Sequence, residues 1–248
     1  IVINITRLKM KKSTRRVIIV AASFILLLLL LLVTASKYIY AIKQMVPAET
    51  RALNDSVYCI RNKYVNAWVF KVYRGYIMID AGISKKKMKE ELLKLEINPD
   101  DILAVVLTHS DPDHSGGLNA FENARIFLHE EEEQMVNGKT ARFIFKSKWK
   151  YDDYNLIRSE EILNINVLQI KVIHTPGHTP GSCCFVINDD YLVTGDNLIF
   201  ENGAYKPFFD IINMDTETQV KSLKNLPSPH NFKYILTSHT GFSNIDQE

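Results

Sequence analysis

Leu107-Thr108-His109-Ser110-Asp111-Pro112-Asp113-His114-Ser115-Gly116-Gly117 crowds four side chains able to bind a metal, His109, Asp111, Asp113 and His114, into six positions. The apolar run 104–107 leads straight into them and reads as a buried strand. A loop follows, and then a helix predicted from about Leu118. Pro112 stiffens the loop, and Gly116-Gly117 are expected to lend it backbone freedom. Neutral imidazole and carboxylate suit zinc, with iron and manganese as alternatives. The adjacent Asp113 and His114 cannot easily grip one ion in the same way. They suit two ions side by side, roughly 3.5–4 Å apart.

Further donors lie downstream, each after an apolar run. Residues 167–173 form a predicted strand that runs into His174-Thr175-Pro176-Gly177-His178-Thr179-Pro180-Gly181-Ser182, a loop with two histidines held by two prolines and two glycines. Residues 183–187 and 191–194 read as a hairpin through Asn188-Asp189-Asp190, with Gly195-Asp196 next. A carboxylate just past a strand end either bridges cations or caps a turn. Residues 234–237 are the last predicted strand and end at Ser238-His239-Thr240-Gly241. Taken singly, Asp196 and His239 would be dismissed. Their place in an ordered series gives them a functional reading.

This series resembles the metallo-β-lactamase-fold hydrolases. Their His-x-His-x-Asp-His signature matches His109 to His114, with Asp111 in place of the second histidine. A carboxylate there can still ligate, and family members that carry one include the di-iron flavoproteins. The stretch from His174 to Ser182 is similar to the family's third motif in its glyoxalase II-like form, which implies that His178 is the ligand and His174 a structural neighbour. Asn66-Ala67-Trp68 and Ile79-Asp80-Ala81-Gly82 match the opening hairpins, with Asp80 a supporting residue rather than a ligand. Carried over residue by residue, the resemblance gives His109, Asp111 and His178 to a first metal, Asp113, His114 and His239 to a second, and Asp196 to both.

The implied fold is α/β, a four-layer αββα sandwich over about residues 57–241, with the site at the open edge between two sheets. The implied cofactors are two divalent ions, zinc foremost. A water between them would lose a proton near neutral pH and attack a carbonyl or phosphoryl centre. The metals would stabilise the developing oxyanion. Asp113 and Asp196 take the catalytic roles, and no Ser-His-Asp or Cys-His nucleophile is needed. The expected reaction is hydrolysis of a small ester, thioester, lactone or lactam. Two other readings are a di-iron redox protein, motivated by Asp111 but lacking a flavin-binding domain, and a non-catalytic, membrane-tethered sensor.

Composition sets the surroundings. The chain has 248 residues, 46% of them apolar, which is enough for a sizeable core. Its net charge of +2 is uneven: residues 1–43 hold eight Lys or Arg and no Asp or Glu, leaving 22 basic against 28 acidic residues in the rest. An acidic domain argues against a general nucleic-acid surface. Cys59, Cys183 and Cys184 have no zinc-finger spacing and read as buried free thiols.

Residues 17–35 are nearly all apolar, with seven leucines from Leu26 to Leu32. As a helix they reach roughly 28 Å, about one hydrocarbon core. The expected layout is a basic cytoplasmic tail at 1–16, a transmembrane signal anchor at 17–35, a linker at 36–54 broken at Pro47, and a catalytic domain at 55–248. The domain would then lie outside a cell membrane crossed once. Cleavage at Val33-Thr34-Ala35-Ser36 would instead release it as a secreted protein. Met10, before the basic run, is a candidate start.

Strands are also predicted at 57–61, 67–73, 76–79 and 125–129, and helices at 84–95, 130–136 and 215–226. The glutamate run at 130–133 reads as an electrostatic cap, and His129 as structural. Residues 138–158 are the least regular and mix basic and aromatic groups, among them Arg142, Phe143, Phe145 and Trp149. They are expected to be a substrate lid over the metal mouth, a solvated loop, or a patch meeting membrane headgroups.

Overall fold

Along the strand Val65–Val72, Trp68, Phe70 and Val72 point one way, while Ala67 and Val69 point the other. Both sets are buried. A sheet covered on both faces requires such nearly continuous apolar runs. The computed structural model describes residues 11–142, 144–151, 153–201 and 203–245. The readings of residues 1–10 and of Phe143 lie outside them.

Two sheets carry the fold. The first has seven strands in the order Arg51–Ala52, Val57–Asn62, Val65–Val72, Gly75–Ile79, Ile102–Val106, Arg125–His129, Asn155–Ile157. The second has six, in the order Ile162–Ile165, Leu168–His174, Cys183–Ile187, Tyr191–Gly195, Tyr234–Thr237, Phe242–Asn244. Their inner faces share one core: Trp68, Phe70, Ile77 and Val106 from the first meet Ile170, Phe185, Val193 and Leu236 from the second. The helix Lys85–Lys94 covers the outer face of the first sheet with Met88 and Leu92, capped by Ser84 as its sequence implies. Beyond the second sheet, Cys184, Val186, Leu192 and Ile235 pack with Leu226 and Phe232, which follow the helix Thr216–Leu223. The result is a mixed α/β sandwich with helices outside and sheets inside.

Strand direction decides where the loops gather. Gly75–Ile79, Ile102–Val106 and Arg125–His129 run parallel, so their carboxyl ends share one rim. Tyr191–Gly195 and Tyr234–Thr237 also run parallel, and two antiparallel steps bring the end of Leu168–His174 beside them. The backbone of Cys183 donates to Thr108 O at 2.9 Å, and that of Asn66 to Ser238 O at 2.7 Å, tying the two rims together.

Some local expectations change. Helix begins at Pro112–Ser115, inside the ligand loop, and only a 3-10 turn, Leu118–Ala120, follows. Gly116 and Gly117 have ordinary helical φ values, −65° and −86°. Space, not freedom, requires them: a Cβ at Gly117 would lie 2.0 Å from Ala81 O. Residues 138–158 contain a hairpin, Asn137–Arg142 with Phe145–Lys148, and the edge strand Asn155–Ile157. The three cysteines are free and buried.

The chain divides into two compact units, up to Lys43 and from Gln44. The described part of the first lies in the helix Lys12–Gln44, whose apolar residues from Val17 to Val33 are exposed and which is long and apolar enough to cross a bilayer.

His129 and His174 stack, with ring centroids 4.0 Å apart and planes 14° from parallel. His129 Nδ1 accepts from Glu131 N–H at 3.2 Å, and the Nε2–H of His174 donates to Pro180 O at 2.8 Å. Burial, aided by the neighbouring His174, pushes the His129 pKa down to about 4. The unfolded chain, with its ordinary histidine pKa near 6.5, takes up the proton first on acidification. His129 therefore stabilises the fold above about pH 6.5, and this contribution is lost as the pH falls through about 4. The loss is at most about 1.4 kcal/mol per pH unit. Chemical denaturation between pH 7 and 4 should show a shallower fall for His129→Asn, which keeps an acceptor for Glu131, than for the parent chain.

Candidate metal centre

His109 and His114 leave the strand Ile102–Val106 and the short helix after it, His178 the loop after Leu168–His174, Asp196 the end of Tyr191–Gly195, and His239 the end of Tyr234–Thr237. Each histidine is fixed through Nδ1. His114 Nδ1 lies 2.8 Å from Asp80 Oδ2, His239 Nδ1 2.8 Å from Tyr64 O, His178 Nδ1 3.1 Å from Asn213 Oδ1, and His109 Nδ1 3.1 Å from Thr108 Oγ1. Tethering one ring nitrogen orients the other and sets the tautomer, the usual arrangement behind a metal-binding imidazole.

The free Nε2 atoms converge. His114 Nε2 and His239 Nε2 lie 3.3 and 3.2 Å from Asp196 Oδ1, and His239 Nε2 lies 3.5 Å from Asp113 Oδ2. His178 Nε2 lies 3.5 Å from Asp196 Oδ2 and 3.2 Å from Asp111 Oδ2, and His109 Nε2 is 3.7 Å from Asp111 Oδ2. Ligand atoms on a tetrahedron of radius about 2.0–2.1 Å stand roughly 3.3 Å apart. Three groups bring one donor atom from each residue within 4.8 Å of the others: His109 with Asp111 and His178, His109 with His114 and Asp196, and Asp113 with His114 and His239. His109 Nε2, His114 Nε2, His239 Nε2 and Asp196 Oδ1 are buried without a hydrogen-bond partner. Such orphans cost free energy unless a cation satisfies them. The residues present therefore fit a divalent ion, and Asp196 offers one oxygen to each side.

The charges agree. Burial alone would raise Asp196, but His239 and His114 hold its carboxyl well below the usual range. Burial alone would lower His114, yet Asp196, Asp80 and Asp113 lift it well above an ordinary histidine. At His114 the surrounding carboxylates overcome desolvation, whereas at His109 burial prevails and holds the imidazole pKa well below its ordinary value.

All seven candidate ligands thus meet at one rim, with Asp80 behind His114 in the supporting place the sequence suggested. The positions of His129 and His174 are those already described, outside this group. Two contributors carried no local signal. Arg142 reaches Asp111 from the hairpin. Glu132, fully buried, turns inward from a glutamate run that reads as surface. It accepts from Ser110 N–H at 2.9 Å, Ser110 Oγ at 2.6 Å, Thr179 Oγ1 at 2.7 Å and Gly181 N–H at 2.8 Å. One carboxylate so clamps the His109 loop to the His178 loop. Burial pushes its pKa up, and those hydrogen bonds oppose the rise. A Cβ at Gly181 would sit 2.2 Å from Glu132 N, so only glycine allows this approach.

A family model described as the metallo-beta-lactamase superfamily matches residues 60–239. A Methanocaldococcus jannaschii protein described as a probable metallo-hydrolase is 29% identical over 169 residues, 66% of this chain and 71% of its own. A human acyl-coenzyme A thioesterase is 22% identical over 185 residues, 61% of this chain and 66% of its own. Among solved structures, a class B3 di-zinc metallo-beta-lactamase from an Alaskan soil metagenome matches with a TM-score of 0.60 at 20% identity, covering 79% of this chain and 80% of that one. That likeness is one of fold.

Glu132→Ala strips the partner from two buried N–H groups, at about 1–3 kcal/mol each. A lowered thermal unfolding midpoint is expected. Asp80→Ala frees the His114 ring and should weaken divalent-metal uptake about 10–100-fold, read by competition with a chromogenic chelator.

Proposed function

Since the chain belongs to the metallo-beta-lactamase superfamily, we propose that it is a metal-dependent hydrolase of small carbonyl substrates, with thioesters first among esters, lactones and lactams. The convergence of orphaned Nε2 atoms on Asp196 carries this reading. Asp113, His114, His239 and Asp196 would hold zinc, and His109, Asp111 and His178 complete the donor ring. When bound, the metal supplies a water acidified toward neutral pH and a Lewis-acid partner for the substrate oxygen.

The chain's own residues do the rest. Asp80 and Tyr64 O fix the rings of His114 and His239, and Asn213 and Thr108 those of His178 and His109. Asp113, with 19% of its side chain exposed, is the most open carboxylate of the set and would receive the proton passed to the leaving group. Asp196, 5% exposed, stays ionised between the donor groups. The thioester preference draws on the thioesterase among the relatives. The apolar stretch 17–35 of the helix Lys12–Gln44 is assigned as a membrane anchor, with the basic residues of 1–16 on the cytoplasmic side and the domain outside.

Elemental analysis of the purified chain should find zinc, and a panel of thioesters, esters, lactones and lactams should be turned over, thioesters fastest. A chelator should abolish the activity and zinc restore it. His239→Ala should lower kcat/KM by at least about 100-fold, since it removes a ligand outright rather than its support. A metal-loaded chain inert on the whole panel would overturn the assignment.

A further inference from the structure

The first donor set already holds a cation of the chain's own. Arg142, at the end of the strand Asn137–Arg142, reaches in with 13% of its side chain exposed. Its Nε donates to Asp111 Oδ1 and Oδ2 at 3.0 and 2.9 Å, and its Nη2 to Oδ2 at 2.8 Å. The same Nη2 lies 3.2 Å from His178 Nε2, and Nη1 donates to His178 O at 3.2 Å. A guanidinium always donates and never accepts. Toward Arg142, His178 Nε2 can only accept, with its proton on Nδ1 and directed to Asn213 Oδ1; the same Nε2 also lies 3.2 Å from Asp111 Oδ2. A neutral imidazole has one such lone pair. Once Arg142 takes it, none is left for a metal.

Asp111 fits the same arrangement. The planar guanidinium fork matches a carboxylate, whereas an imidazole at this position could not take the two-oxygen contact. Burial alone would raise Asp111, but His178, His109 and Arg142 together hold it well below the carboxylate range. The second donor set differs. Its His114 Nε2, His239 Nε2 and Asp196 Oδ1 keep no hydrogen-bond partner, whereas in the first set only His109 Nε2 does so, with His178 and Asp111 both engaged by Arg142.

We propose that Arg142 takes the place of the first metal, so that the chain carries a single ion, in the second set. This departs from the two-ion expectation, and it rests on the reading that the second set binds metal. A guanidinium supplies charge and hydrogen bonds but does not acidify water, so that task falls to the second set alone. The contact also ties the hairpin, which exposes Ile144 and Phe145, to Asp111 and His178.

The full chain in detergent, stripped by chelator and re-equilibrated with zinc, is assayed for zinc per chain by mass spectrometry, with circular dichroism as the folding check. One equivalent is expected for the parent and two for Arg142→Met. Two equivalents in the parent, or one in the variant, would overturn the proposal while leaving the hydrolase reading in place. No zinc in the parent would remove both. Should Arg142→Met not fold, Asp111→His carries the test, because it removes the anchor of the fork and restores an imidazole. Two equivalents support the proposal, and one defeats it.

Discussion

Four carboxylates are gathered where two sheets meet, and water is largely kept from them. Asp80 is 1% exposed, Asp196 4%, and the side chains of Asp111 and Asp113 12% and 19%. Buried anions are tolerable only with matched positive charge. The other features of the rim follow from that need. Histidines surround the acids with their free nitrogens inward, and a guanidinium arrives from an added hairpin. The polar backbone of the ligand loops is tied down by Glu132 rather than by solvent.

Topology makes this concentration affordable. The strands that lead to Asp80, His109 and Glu132 run parallel in one sheet, and those that lead to His178, Asp196 and His239 share a direction in the other. Tyr64 precedes a strand running the opposite way, so its carbonyl falls on the same rim and meets His239. Apolar faces between the sheets set their separation. The Thr108–Cys183 and Asn66–Ser238 backbone bonds fix their registration at the site.

Much of this was legible in the chain. The donors stand immediately after apolar runs, and a run that ends in a donor places it at a strand end whatever the neighbours do. The sandwich itself came from the resemblance, since alternation alone does not say which strands pair. Illegible parts share one cause: they depend on partners far away in sequence. Glu132 looks like its exposed neighbours because its partners come from Ser110, Thr179 and Gly181. Arg142 looks like one more basic residue of an irregular stretch until Asp111 and His178 are brought to it. The glycines after His114 were read for their torsional freedom, but a carbonyl 2.0 Å from a would-be Cβ is a tertiary fact. Where a helix was expected from Leu118 there is only a 3-10 turn, and the α-helical residues lie earlier, at Pro112–Ser115.

The parallel pairing of Tyr191–Gly195 with Tyr234–Thr237 joins segments separated by the whole Thr216–Leu223 helix and its flanks. A chain folded only as far as Gly195 owns His114 and Asp113 but not His239. The group of Asp113, His114 and His239 is thus completed only when the strand Tyr234–Thr237 has paired. Partly assembled copies would lack that convergence of donors.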